Sequence, residues 1–275
     1  MSLWDALLLG IVQGITEFLP ISSSGHLVLG KAILGVHTQG VAYEVFAHFG
    51  TLLAVVTVFW TDIIDMLRSL GRAAGAPSPD RLRSLYRQDV GFRTLLLILV
   101  GSVPAGVVGV AFESSIEEAF SSPLLVSFML IATGLILLGT RWARGSETRF
   151  GWFRALLIGV AQSVAILPGI SRSGSTIATA MYLRVQREEA ARFSFLLALP
   201  AIFGAAVLES LDLAREPLHA AYLATLAVGL LSSYVSGVLA LRWLLAVVRR
   251  GRLDRFAYYC FAVGLTGILW LAFFS

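Results

Sequence analysis

Two short polar segments interrupt otherwise apolar stretches of this chain of 275 residues. The first reads QGITEFLPISSSGHL and begins at Gln13. Gln13 and Glu17 are four residues apart, so they share one face if the segment is helical. Pro20 then ends that helix. A carboxylate, hydroxyls and an imidazole, which are groups able to carry acid–base and nucleophilic chemistry, therefore lie close together in the chain: Glu17, Ser22, Ser23, Ser24 and His26.

The second segment reads PGISRSGSTI and contains one guanidinium, Arg172, among hydroxyls and glycines. A guanidinium fork binds two oxygens at once, and small residues let backbone N–H groups approach an anion. This composition suits phosphate. Besides Arg172, the residues that we expect to bind it are Gln13, Ser22, Ser24, Gly169, Ser171, Ser173, Gly174, Ser175 and Thr176.

The overall composition predicts a membrane protein. Hydrophobic residues make up 57% of the chain and charged residues 14%, with a mean hydropathy of +0.82. Soluble domains carry about 25% charged residues, so a soluble enzyme, a disordered tail and a nucleic-acid binder are excluded. The net charge of +4 comes from arginines in short linkers between apolar stretches, as in cytoplasmic loops. The single cysteine, Cys260, excludes a disulfide framework.

The apolar stretches predict an all-α polytopic fold of six transmembrane helices and two re-entrant helical hairpins. A spanning helix needs about 20 mostly apolar residues. The six predicted spans are 41–60, 92–112, 124–140, 193–213, 219–248 and 256–274. Proline, glycine, serine and charge interrupt the two remaining stretches, 3–29 and 152–183, which we therefore predict to be the hairpins.

Arginine-rich linkers after Trp60, Thr140 and Val248 belong inside, and the glutamate-bearing connection 113–122 belongs outside. If the six spans connect these inside and outside segments, hairpin 3–29 must open outward and hairpin 152–183 must open to the cytoplasm. At an offset of 149 residues the two hairpins also match each other, for example Gln13 with Gln162. We therefore predict one membrane domain, 1–275, built as an inverted-topology repeat of 1–140 and 152–275, with its polar site where the repeats meet.

Ionisable side chains within a membrane are costly unless they are paired or solvated, which makes Glu17, His26 and Arg172 functional candidates. The alternative is that Arg172 pairs with Glu17 only to hold the two halves together. Glu44 and His48 lie one helical turn apart in the first span. They could support the site, for example as a proton relay, or could simply pack against a neighbouring helix.

The two segments resemble the signatures of the bacterial undecaprenyl-diphosphate phosphatases, also called the bacitracin resistance protein family. The block from Gln13 to His26 and the block PGISRSGST carry the resemblance, and the stretch FSFLLALP also fits. It implies hydrolysis of undecaprenyl diphosphate to undecaprenyl phosphate and inorganic phosphate, which recycles the lipid carrier for peptidoglycan synthesis. It also implies bacitracin resistance, a multi-pass place in the bacterial inner membrane, and functional roles for Gln13, Glu17, Ser23, His26 and Arg172.

Within that resemblance, we expect Arg172 and the backbone of 169–175 to hold the diphosphate. Glu17 would act as a base or hold a divalent cation, Mg²⁺ or Ca²⁺. Some members carry a glutamate where Gln13 stands, so a metal site with two carboxylates is less expected here. Ser23 is the first choice of nucleophile with His26 as its acid–base partner, while attack by His26 or by water stays open.

A transporter or flippase for polyprenyl phosphate is the alternative function, since it would need the same anion site. The set Glu17, Ser23 and His26 favours the hydrolase, because binding alone requires no nucleophile. The expected partners are a polyprenyl diphosphate and membrane lipids, without nucleic acid; a homodimer is left open. From the arginine asymmetry we expect the site to open to the extracytoplasmic side.

Overall fold

The structure is a computed structural model that describes residues 2–34, 41–75, 78–143, 145–146, 151–213 and 220–274. Within these residues it contains α-helices joined by short turns, and one 3₁₀ turn at Thr140–Trp142. The helices are α1 (Leu3–Phe18), α2 (Ser23–Leu34), α3 (Val41–Val58), α4 (Trp60–Ala74), α5 (Pro79–Gln88), α6 (Val90–Ala111), α7 (Glu113–Phe120), α8 (Pro123–Gly139), α9 (Trp152–Val164), α10 (Arg172–Tyr182), α11 (Arg187–Leu213), α12 (Ala220–Arg249) and α13 (Arg255–Phe274).

The chain is a polytopic membrane protein. Among the described residues four helices are long and apolar enough to cross a membrane: Val90–Ala111, Pro123–Trp142, Leu223–Arg249 and Arg255–Phe273. They coincide with four of the six predicted spans. A fifth crossing is α3 with α4 if the two are one bent span, since they meet at an angle of 79°. The remaining predicted span, 193–213, lies in α11, which is not among these candidates.

The arginine-rich segment after Trp60 is not a loop, as its charge suggested, but two amphipathic helices, α4 and α5. Asp89 joins them to α6. Its carboxylate caps α6 by accepting from the Phe92 N–H at 3.1 Å, and it accepts from Ser69 Oγ at 2.7 Å. Arg72 also donates to it, at 3.0 Å and 2.6 Å. Burial raises the pKa of Asp89, but these hydrogen bonds outweigh it and hold the pKa below the ordinary value of 3.8.

Each hairpin packs against a long helix from the other half of the chain: α1 lies on α12, and α9 lies on α6. Both contacts depend on a glycine that lets two backbones approach closely. A Cβ at Gly10 would come within 2.7 Å of the Gly229 carbonyl oxygen, and a Cβ at Gly159 within 2.1 Å of the Gly101 carbonyl oxygen. These close contacts fix where the turn of each hairpin lies.

The largest buried cluster surrounds α10 and the middle of α11, so the second hairpin is held deep in the protein. Ile177 and Ala178 on α10 are fully buried, as are Phe195 and Leu196 on α11. α10 also contacts α8 and α9. The segment that carries Arg172 is therefore positioned by packing on several sides.

Candidate active site

The first hairpin turns between Phe18, where α1 ends, and Ser23, where α2 begins. Ser22 has φ +66°, a left-handed conformation that is uncommon outside glycine. Its Oγ accepts from the Gly25 N–H at 3.2 Å, as a capping serine does at a helix start. Strained backbone of this kind is often retained at functional sites, where the surrounding structure enforces it.

The second hairpin turns at Gly169, which has φ +94°. A side chain there would clash, since a Cβ would lie 2.4 Å from the Val126 carbonyl oxygen. Ser171 caps α10 by accepting from the Gly174 N–H at 3.1 Å. Thr133 of α8 holds the turn, donating to the Gly169 carbonyl at 2.9 Å and accepting from the Ser171 N–H at 3.0 Å.

The two turns touch each other. Ser173 Oγ donates to the Leu19 carbonyl at 3.3 Å, and a Cβ added to Gly25 would lie 3.1 Å from Gly169 Cα. Residues about 150 positions apart in the chain therefore form one polar cluster.

Glu17 is the centre of this cluster. Its Oε1 accepts from Arg172 Nη2 at 2.9 Å, while its Oε2 accepts from Ser23 Oγ at 3.0 Å and from Gln13 Nε2 at 3.3 Å. The side chains of Glu17 and Arg172 are 9% and 17% exposed. The ion pair between Arg172 and Glu17, which the sequence offered as an alternative, is therefore present. A hydroxyl bonded to a carboxylate also has the geometry of a nucleophile with its base.

A cavity of about 750 Å³ opens onto this cluster. Its polar lining includes Glu17, Ser23 and Arg172 at the hairpin turns, and it reaches Glu113 at the start of α7. Its remaining wall is largely apolar and comes from α6, from the turn after α9 and from α11: Ala105, Gly106, Gly109, Val110, Ala165, Ile166, Pro200, Ala201, Ile202 and Gly204. A cavity with a polar end and an apolar wall suits an anionic head group on a hydrocarbon chain.

His26 does not line this cavity. Its Nδ1 lies 2.8 Å from the Ser22 carbonyl oxygen, and because a carbonyl can only accept, Nδ1 must donate. In the neutral ring Nε2 is then an acceptor, and the Tyr259 hydroxyl, 2.8 Å away, donates to it. The two rings are stacked with centroids 5.5 Å apart. The imidazole is thus held against α13 and forms none of the expected contacts with Ser23.

The other predicted phosphate-binding residues differ in what they contact. Ser22, Ser24 and Ser171 line the cavity. Thr176 donates to the Arg172 carbonyl at 2.8 Å and lies 2.5 Å from Ser194 Oγ, so it is engaged inside the protein. The N–H groups of Ser171, Gly174 and Ser175 also donate within the chain; Arg172 and Ser173 begin α10, where N–H groups have no intrahelical acceptor.

His48 lies on α3 and lines the cavity, while the side chain of Glu44 is outside what the structure describes. The sequence reasoning did not assign a site role to Gln162, Thr133 or Tyr259. Of these, only Gln162 had a signal in the sequence, because it matches Gln13 at the offset of 149 residues.

In the part of the chain that the structure describes, the protein forms no metal cage of its own. Among the described residues no group of three or more His, Cys, Asp or Glu could hold an ion. Both oxygens of Glu17 already accept hydrogen bonds. A single carboxylate fits a cation only if most of its ligands come from phosphate and water, as is common for Mg²⁺.

Known proteins resemble this chain along almost its whole length. Residues 6–266 match the family described as bacitracin resistance protein BacA. The chain belongs to this family.

Similar proteins named undecaprenyl-diphosphatase occur in Salinibacter ruber, Korarchaeum cryptofilum and Desulfatibacillum aliphaticivorans. The first is 46% identical over 98% of this chain and 100% of its own length. The second is 44% identical over 96% and 98%. The third is 42% identical over 95% and 96%. The similarity therefore spans both hairpins and all the helices between them.

Proposed function

We propose that this protein hydrolyses undecaprenyl diphosphate to undecaprenyl phosphate and inorganic phosphate. One observation carries the proposal: Glu17 contacts both Ser23 and Arg172 at the polar end of a cavity with an apolar wall. A base, a hydroxyl and a guanidinium are the groups needed to transfer a phosphoryl group. Family membership and the names of the relatives support the same activity.

In the proposed reaction Ser23 Oγ attacks the terminal phosphorus. The Oγ–P bond forms as the bond from phosphorus to the bridging oxygen breaks, and its electron pair leaves with undecaprenyl phosphate. Glu17 receives the Ser23 proton. Water then attacks the phosphoserine, Glu17 returns the proton to Oγ, and dihydrogen phosphate leaves. Arg172 stabilises the charge on the transferring group.

His26 has a positioning role in this scheme. Its hydrogen bond to the Ser22 carbonyl supports the left-handed turn that precedes Ser23. Tyr259 supports the imidazole from the other side. This role requires no proton transfer from His26.

A divalent cation, Mg²⁺ or Ca²⁺, would enter with the substrate. The described lining offers one arginine, Arg172, against two carboxylates, Glu17 and Glu113, which does not neutralise a diphosphate. A cation held by the phosphates and by one Glu17 oxygen would supply the missing positive charge.

The finer architecture is also part of the proposal: six spans and two re-entrant hairpins in an inverted repeat. The paired packing of α1 on α12 and α9 on α6 supports it, because a two-fold arrangement repeats each contact. Ser22 and Ser171, which match at the offset of 149, accept hydrogen bonds from the matching residues Gly25 and Gly174.

The site would open to the extracytoplasmic side of the bacterial inner membrane. The cavity reaches Glu113, in the acidic connection assigned outside, while the arginine-rich helices α4 and α5 do not line it. Exposed Ser115→Cys and Arg87→Cys variants test this orientation. Cys260 is fully buried, so it should not react. Labelling of Ser115→Cys from outside, with Arg87→Cys protected, is expected, and the reverse pattern would contradict the orientation.

A flippase would need the anion site but not the contact between Glu17 and Ser23, so that contact favours the hydrolase. The deciding experiment measures phosphate release from undecaprenyl diphosphate by purified protein in detergent, with and without chelator. We expect release that a Ser23→Ala variant abolishes. Binding of the lipid without any release would support the carrier instead.

A further inference from the structure

Gln162 is buried, and within the described residues it has no hydrogen-bond partner. It lies on α9, is 3% exposed and lines the cavity. Neither its Nε2 nor its Oε1 is paired within the described part of the chain. Most buried polar side chains are paired, and leaving one unpaired costs free energy. An uncompensated amide in a cavity indicates a group that interacts with a ligand.

The matching residue in the first hairpin is satisfied inside the protein. Gln13 donates to Glu17, four residues later, at 3.3 Å. The residue four positions after Gln162 is Ile166, whose alkyl side chain cannot accept a hydrogen bond. Gln162 thus occupies the position that matches Gln13, but the residue four positions later cannot accept its hydrogen bond as Glu17 accepts that of Gln13.

Besides the Gln162 amide, Arg172 supplies an unpaired donor in the described part of the chain. Its Nη2 donates to Glu17, whereas its Nη1 is buried and has no partner among the described residues. Both Arg172 and Gln162 line the same cavity. Two unsatisfied donors in one cavity favour an anion over a neutral ligand.

A diphosphate presents two anionic groups to this cavity. The phosphate that reacts must lie against Ser23, within reach of Glu17. The phosphate that stays on the lipid then needs other donors, and it must lie nearer the apolar wall because it carries the hydrocarbon chain. Ala165 and Ile166 are part of that wall and lie three and four residues after Gln162 in the chain.

We infer that Gln162 Nε2 and Arg172 Nη1 bind the phosphate that remains on the lipid. The inference rests on the proposed hydrolysis for the identity of the substrate. When the bridging bond breaks, negative charge develops on this leaving phosphate. Donors placed there stabilise the transition state as well as the bound product.

The test compares two products as ligands of the wild type and a Gln162→Met variant. Undecaprenyl monophosphate in detergent micelles reports on the lipid-side phosphate, and inorganic phosphate reports on the other. We expect the variant to bind undecaprenyl monophosphate about tenfold more weakly or worse, the loss of one hydrogen bond to a charged oxygen. Its affinity for inorganic phosphate should stay unchanged. Its thermal stability without ligand should equal or exceed that of the wild type, because an unpaired buried amide has been removed.

Ser163→Ala is the matched control. Ser163 is the next residue on α9 and is also buried, but its Oγ donates to the Val160 carbonyl at 2.8 Å and it does not line this cavity. This variant should bind both products as the wild type does. Gln162→Glu provides a second variant of nearly the same shape, whose carboxylate should repel the monophosphate.

Unchanged monophosphate affinity in both Gln162 variants would overturn the inference and mean that the amide holds only water. An equal loss of affinity for both products would overturn the assignment to the lipid-side phosphate. Because binding is measured directly, these outcomes are independent of turnover. Absence of hydrolysis by the wild type would instead count against the proposed function alone.

Discussion

Replacing Glu17 by glutamine removes the charge at the centre of the cluster and nearly preserves the shape. Ser23 loses its base, so turnover should fall by about 10²- to 10⁴-fold, the usual range for a positioned acid–base group. Arg172 loses its ionised partner while most of its side chain is buried. An incompletely satisfied buried donor costs roughly 1–3 kcal/mol, so the variant should also be less stable.

The assay is phosphate release from a polyprenyl diphosphate in detergent, combined with thermal unfolding of the same samples. Asp5→Asn is the matched control: it makes the same change on the same helix, but Asp5 is exposed at the start of α1, where it forms a capping box with Ser2. This control should have wild-type turnover. Turnover of the Glu17→Gln variant within tenfold of wild type would refute the role of Glu17 as the base.

Three further predictions concern the supports of the site. Asp89→Asn should cost about 1–2 kcal/mol of stability through the weakened cap and lost charge pairing. Because its folded pKa lies below 3.8, the stabilisation by Asp89 is complete above pH 3.8 and disappears as the pH falls through the folded pKa, so wild type and variant should converge in acid unfolding. Tyr259→Phe removes the hydroxyl that holds His26 and should reduce stability by about 1 kcal/mol, with a modest fall in kcat in the same release assay. Gly159→Ala should destabilise by about 1–3 kcal/mol through its close helix contact, whereas Gly71→Ala, with open space around it, should not; equal unfolding curves would contradict this reasoning.

Local patterns predicted much of the cluster. The four-residue spacing of Gln13 and Glu17 is realised as a hydrogen bond on one helical face, and α1 ends just before Pro20. These features depend on helical periodicity and on backbone restrictions, which are written in short stretches of sequence. For the same reason four predicted spans coincide with long apolar helices.

The orientation of His26 could not be predicted. It depends on the left-handed turn at Ser22 and on the Tyr259 hydroxyl, which is 233 residues away in the chain. No pattern within the first hairpin indicates the left-handed turn at Ser22 or the contact with Tyr259. Similarly, the positive charge of the segment after Trp60 suggested a loop, whereas the segment forms the two amphipathic helices α4 and α5, of which α4 meets α3 at an angle of 79°.

The two hairpins suggest how one backbone arrangement came to serve two chemical tasks. Glycines such as Gly10 and Gly159 fix the helix packing in both, so the backbone has little freedom to change. Near the turns, by contrast, the residue type differs between the two hairpins at some matching positions. At the offset of 149, Ser23 of the first hairpin corresponds to Arg172 of the second, and these two residues contact different oxygens of the Glu17 carboxylate. In the proposed repeat the first hairpin thus supplies the nucleophile and base, and the second supplies the donors that bind phosphate. Each half alone would lack one of the groups that phosphoryl transfer requires.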